Sequence, residues 1–265
     1  MPGQKPIQED FFELLGVKDR ITIVTEITQF KEIIIPRQSV RLLSDYTMEY
    51  VIAYEYMMKR VPDKGYKRVY LTRTALKNND GINEEFFVEF FKKRDFEIVS
   101  PEKYSIAEQV SIISGADWIV STEGTLTHLA LFAKQGTHLT ILRRSPEQTI
   151  VAQYLINQAK DLNVDYIDVT FNFLPTQHNG GTFLYGPTKH FVSWLNDQEL
   201  QYTQEEVEFD IKHFAWDYVL LWNKNFNIVK NFKMISNLTM FDVLQNMNQV
   251  IGMPPIKKKD YLSKN

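Results

Sequence analysis

Nine residues, Val120-Ser-Thr-Glu-Gly-Thr-Leu-Thr-His128, carry an apolar stretch straight into hydroxyls, a carboxylate, a glycine and an imidazole. If a strand turns into a helix there, the amides of the first helical turn, aided by the helix dipole, form a seat for a phosphate group. Gly124 permits close approach of the main chain, and Thr122, Thr125 and Thr127 supply hydroxyls. The same small polar residues also serve as ordinary helix caps, so both uses stand on the pattern alone. Glu123 would be stabilised as an anion by those amides, yet it would repel a phosphate sharing them. It suits instead hydrogen bonding to ribose or sugar hydroxyls, or acting as base toward an acceptor hydroxyl. A first-turn glutamate favoured by the dipole is the structural alternative. His128, one turn further on, faces either a pocket or the core.

Cationic residues recur at comparable places. Arg73 follows an apolar run in Tyr70-Leu-Thr-Arg-Thr74, where a planar guanidinium suits bidentate contact with a diphosphate and Thr72 and Thr74 add hydroxyls. Arg143 and Arg144 hold the same rank at the end of Thr137-His-Leu-Thr-Ile-Leu142. Each arginine serves equally well in a surface ion pair. Asn83 and Glu84 open a helix and read first as caps, and Ser105-Ile-Ala-Glu108 has the spacing of a capping box.

What must position these residues is an alternation of strand and helix from Arg68 to Arg144. Strands are expected over Arg68–Thr72, Phe96–Val99, Asp117–Ser121 and Thr137–Leu142, with a fifth over Val164–Val169. Helices are expected over Asn83–Arg94, with Phe86, Phe87, Phe90 and Phe91 as its apolar face, over Ser105–Ser114, over Gly124–Lys134 and over Glu147–Leu162. Such alternation predicts an α/β fold with a Rossmann-like parallel sheet and right-handed crossovers. Ligands in these sheets lie beyond the carboxyl ends of the strands, where the residues above would meet.

Before this region, Glu9–Leu15 reads as a short helix, Arg20–Val24 and Lys31–Ile35 as strands, the second closed by Pro36, and Asp45–Val61 as a helix ended by Pro62-Asp-Lys-Gly65. After it comes a loop, Asn172–Thr188, holding His178-Asn-Gly-Gly181. A mostly helical third follows, with an amphipathic piece from Phe241 to Val250. The expected division is a short N-terminal α/β remnant over residues 1–65, the sheet domain over 66–170 and a helical C-terminal region over 171–265.

Composition narrows the chemistry. A 265-residue chain with 44% hydrophobic and 24% charged residues can bury a full core. A formal net charge of −3 without a basic aromatic stripe argues against nucleic acid as partner. The absence of cysteine excludes disulfides and thiolate chemistry, and the five histidines show no His-x-x-x-His spacing, so no metal site is indicated. No apolar run reaches membrane-spanning length, and the polar start Met1-Pro-Gly-Gln-Lys lacks the apolar core of a signal peptide. A cytoplasmic protein is expected. Its basic tail, Ile256–Asn265, reads as a solvated end, with peripheral contact to acidic lipid at the inner face of the membrane as the alternative.

The order of these features resembles the family-61 glycosyltransferases, which include bacterial capsule and exopolysaccharide transferases. The resemblance runs from about Arg68 to Arg144 through Val69-Tyr-Leu-Thr-Arg73, the Asn83-Glu84 pair, Phe96-Glu-Ile-Val-Ser-Pro101, Ser105-Ile-Ala-Glu-Gln-Val110, Ala116-Asp-Trp-Ile-Val120 and the turn from Thr122 to His128. It implies the donor-binding half of a GT-B transferase that inverts the anomeric centre. The substrate would be a nucleotide sugar, passed to a glycan or lipid-linked glycan acceptor without a metal or other cofactor.

On that basis Thr72, Arg73, Thr74, Asn83, Glu108, Gln109, Thr122, Glu123, Gly124, Thr125, Thr127 and Arg143 would line the donor site, with Glu123 and His128 as catalytic candidates. The family turn commonly reads His-Gly-Ala-Gly-Leu-Thr-Asn, of which this chain keeps only Leu126 and Thr127. A GT-B enzyme also places an acceptor domain before the donor domain. The expectation is therefore a truncated or divergent transferase, or one whose acceptor half comes from a partner subunit or a homo-oligomer. A non-catalytic module of the same fold is the competing reading.

Overall fold

The computed structural model describes residues 7–42, 44–76, 81–144, 151–174 and 182–228. In chain order these form α1 (Ile7–Leu14), β1 (Val40–Arg41), β2 (Asp45–Tyr46), α2 (Met48–Met58), β3 (Arg68–Leu71), β4 (Gly81–Ile82), α3 (Glu85–Lys92) and β5 (Glu97–Val99). Then follow α4 (Ile106–Gly115), β6 (Trp118–Thr122), β7 (His138–Arg143), α5 (Val151–Ala159), β8 (Asn163–Asp168), β9 (Phe183–Leu184), α6 (Lys189–Asp197) and α7 (Ile211–Ile228).

The chain divides into two compact units. The first holds residues 1–77, 88–143 and 148–167, and the second residues 78–87, 144–147 and 168–265, so the chain passes between them several times. The first is built on a five-stranded sheet in the order β5-β3-β6-β7-β8. β3 pairs in parallel with β5 and β6, and β6 in parallel with β7. The middle strands are apolar on both faces because helices cover both, as parallel sheets require. Val69, Leu71, Ile119, Leu139 and Ile141 pack with Met57, Val110, Ile113 and Ile156 in one core. The β-branched residues of Trp118–Thr122 and His138–Arg143 thus supply both strand propensity and buried area.

α4 begins with a completed capping box. The Ser105 hydroxyl accepts from the Glu108 amide, and the Glu108 side chain accepts from the Ser105 amide at 2.9 Å. The four phenylalanines expected on one helix face lie in α3. Phe91 stacks on Tyr70 and meets Phe96 edge-on in the first unit, while Phe87 meets Tyr185 and Phe191 edge-on in the second.

In the second unit β4 pairs in parallel with β9, and α7 contributes Tyr218, Val219 and Trp222 to a core with Leu174 and Leu184. β9 lies within Asn172–Thr188, where a loop is expected. Two residues of strand leave too short an alternation to read, and their partner at Gly81–Ile82 is remote in sequence. His178-Asn-Gly-Gly181, the piece from Phe241 to Val250 and the tail Ile256–Asn265 lie outside the described residues.

Two further expectations are corrected. The helix expected over Gly124–Lys134 is a 3₁₀ helix, Thr125–Phe132. The strands expected over Arg20–Val24 and Lys31–Ile35 belong to no sheet: apart from a 3₁₀ turn ending at Arg20, the segment is irregular and exposed. β-branched residues favour an extended backbone, but a strand also needs a neighbour to accept its hydrogen bonds. No helix among the described residues is long and apolar enough to cross a membrane.

Candidate functional site

From β3 the chain forms β5 on one side of the sheet, and the crossover through α4 then returns it to the other side as β6. The crevice beyond the carboxyl ends of β3 and β6 is the switch point at which open α/β sheets take their ligands. Register sets Leu71 beside Ser121, so Thr72-Arg73-Thr74 and Thr122-Glu123-Gly124 leave the sheet as neighbours. β7 lies on the far side of β6 with Leu142 beside Thr122, which brings Arg143 to the same rim.

Each segment is shaped by its own hydrogen bonds. The Thr72 amide donates to the Val99 carbonyl at 2.9 Å, and its hydroxyl lies 2.9 Å from that of Thr74 and accepts from the Thr74 amide at 3.1 Å. This small turn holds the half-buried Arg73 at the strand end. On β6, the Glu123 amide donates to the Leu142 carbonyl at 2.8 Å, carrying the bonding with β7 to the residue before the bend. Gly124 then adopts φ 137° and ψ −165°, a backbone region open in practice only to glycine. The Thr127 hydroxyl donates back to the Gly124 carbonyl at 2.6 Å. Its proton is therefore used by the bend, whereas Thr125 stands exposed.

Buried polar atoms at this bend lack a hydrogen-bond partner among the described residues. Thr122 Oγ1 and His128 Nε2 are both buried and meet no hydrogen-bonding group among the described residues. Buried polar atoms in folded proteins are nearly always satisfied, so a pair of exceptions beside a glycine-only bend marks a place where a ligand would complete the bonding. Burial also pushes the His128 imidazole below its ordinary value of 6.5, which keeps the ring neutral at pH 7. Glu123 is only 6% exposed.

Tyr166 on β8 was not singled out by its sequence context. Its phenol is pushed up by partial burial, an effect opposed by a hydrogen bond from Asn157 and raised further by the charge of Glu123. Glu84, read as part of a cap, is a fully buried carboxylate of the second unit. The signal for Tyr166 was its place on the fifth strand; sequence gave no sign that Glu84 would be enclosed.

Other residues expected at the site have scaffold contacts. Glu108 completes the capping box, and Ser105's backbone and hydroxyl donors hold its carboxyl below the usual range. Gln109 donates from one amide nitrogen to the carbonyls of Pro101 and Tyr104, at 2.9 and 3.0 Å. Asn83 sits in the second unit with φ 67°, donating to the Tyr185 carbonyl at 3.1 Å. A cavity of about 450 Å³ lies at the amino ends of the strands, where Lys59, Lys134 and the buried Lys160 face Glu55 and Asp63.

Comparison with known proteins adds a family match: the model described as Glycosyltransferase 61 matches residues 10–140, a stretch that includes both Arg73 and the Gly124 bend. No curated protein matches the chain.

Proposed function

We propose that this chain, a glycosyltransferase by its match to the glycosyltransferase 61 family over residues 10–140, takes as donor a nucleotide sugar bound at the β3–β6 rim. The observation that carries this reading is the adjacency of Arg73 and the Gly124 bend at the point where the sheet order reverses. Arg73 offers fixed positive charge to a diphosphate, and the bend offers backbone approach together with the unsatisfied Thr122 hydroxyl.

In the proposed transfer an acceptor hydroxyl attacks the anomeric carbon. Its proton passes to Glu123 or to the neutral ring of His128, and the bond from the anomeric carbon to the diphosphate oxygen breaks. Arg73 neutralises the charge that develops on the leaving group, the task a divalent cation would otherwise perform, so the reaction is proposed to be metal-independent and inverting. The acceptor is proposed to be a growing or lipid-linked glycan of surface polysaccharide, met at the cytoplasmic side of the membrane.

Calorimetric titration with UDP-, GDP-, CMP- and dTDP-sugars tests the site. One donor should bind saturably, and Arg73→Ala should weaken it about 100-fold, the loss expected for two charge-assisted hydrogen bonds. Absence of binding by every donor refutes the reading. Binding without sugar transfer to any glycan acceptor would identify the non-catalytic module instead.

A further inference from the structure

Residues 19–38 are exposed without exception, and within them Ile21, Ile23, Val24, Ile27, Phe30, Ile33, Ile34 and Ile35 show between 40% and 108% of their surface to solvent. No sheet among the described residues takes them in, and bends at Glu26 and Lys31 divide the segment into short pieces. The apolar area so exposed is roughly 1,000 Å², beyond the few hundred Å² usual for a monomer's largest patch and close to the roughly 800 Å² each partner gives to a stable interface. A bilayer is a poor host for an extended segment, because its backbone amides and carbonyls would find no partners there.

We propose that this arm is a dimerisation element that pairs antiparallel with the same arm of a second copy, going beyond the donor-site reading and independent of it. The segment is self-complementary about Thr28. Antiparallel pairing there sets Ile21 beside Ile35 and Ile23 beside Ile33 on one face, so residues 21–24 of each copy form a short ladder with residues 32–35 of the other. The opposite face pairs Thr22 with Ile34, Val24 with Glu32 and Glu26 with Phe30. No like charges meet. Moving the axis to Gln29 would place Glu26 against Glu32, which cross-strand repulsion disfavours. Two copies related by a twofold axis form a closed, isologous interface, so the exposed strands would not propagate into a fibre.

The chain has no cysteine, which permits a direct test on the 265-residue protein. Sedimentation velocity at micromolar concentration should show a dimer, and the paired substitution Ile23→Lys with Ile34→Lys should make it a monomer with an unchanged thermal melt. Under mild oxidation Thr28→Cys should give a disulfide-linked dimer, because residue 28 faces its own copy across the axis, whereas Thr22→Cys should not. A monomeric wild-type chain, a dimer indifferent to the paired lysines, or equal cross-linking at positions 22 and 28 overturns the proposal. A wild-type chain that is monomeric until vesicles are added would assign the arm to a membrane and overturn it equally. Donor titration of the lysine variant should match wild type, which separates failure of this inference from failure of the donor site.

Discussion

Two strand-to-helix turns of the same sheet solve the same problem differently. After β5, Ser105 and Glu108 satisfy each other and Gln109 donates to the Pro101 and Tyr104 carbonyls, so these polar side chains bond within the turn itself. After β6, the chain bends through a glycine-only conformation, donates the Thr127 proton to the Gly124 carbonyl, and leaves Thr122 Oγ1 and His128 Nε2 buried without partners among the described residues. A turn that only supports a fold has reason to complete its hydrogen bonds, since each unmet one costs about 1–3 kcal/mol. The incomplete turn is therefore where function is to be sought, and the comparison can be broken by substitution in each.

The largest effect is expected at the bend. Gly124→Ala forces a side chain into the glycine-only region, at a cost of about 1–3 kcal/mol, and should lower both urea stability and donor affinity. Equal affinity in the variant would show that the bend is scaffold. Thr122→Val should separate the two properties: stability should hold or rise, because an unmatched buried hydroxyl is removed, while donor affinity falls about tenfold. Ser105→Ala reverses that pattern, with about 1 kcal/mol of stability lost to the missing cap and titration of the donor unaltered.

The smallest effect concerns pH. Burial holds the folded His128 below its ordinary value of 6.5, so the unfolded chain binds the extra proton first. Its contribution is fully present above about 6.5 and is lost as pH falls from there toward the lowered folded value. Urea midpoints measured across that window should slope less in His128→Asn than in wild type.

Much of the sheet was legible because its strands are long, apolar and β-branched, and because the turns between them are rich in capping residues. The capping box at Ser105 and the neighbouring placement of Arg73 and Gly124 followed from strand alternation and the rule for carboxyl ends. Less legible was whatever depends on a distant partner. β4 and β9 are two residues each and exist through one another. Arg20–Val24 and Lys31–Ile35 carry the local marks of strands, yet a local mark cannot provide the neighbouring chain that would make them so. Glu108 and Gln109 illustrate the opposite limit: polar residues beside a suspected site whose bonds turn inward to hold a helix start.

Because the Glu123 amide is bound to Leu142, the rim continues the buried hydrogen bonding between β6 and β7. Deuterium uptake there should be slow even in the empty protein, in step with global opening, since the donor would meet a surface already set. Recognition at such a place loses little motional freedom, and its selectivity would lie in fixed shape more than in a segment that orders on contact.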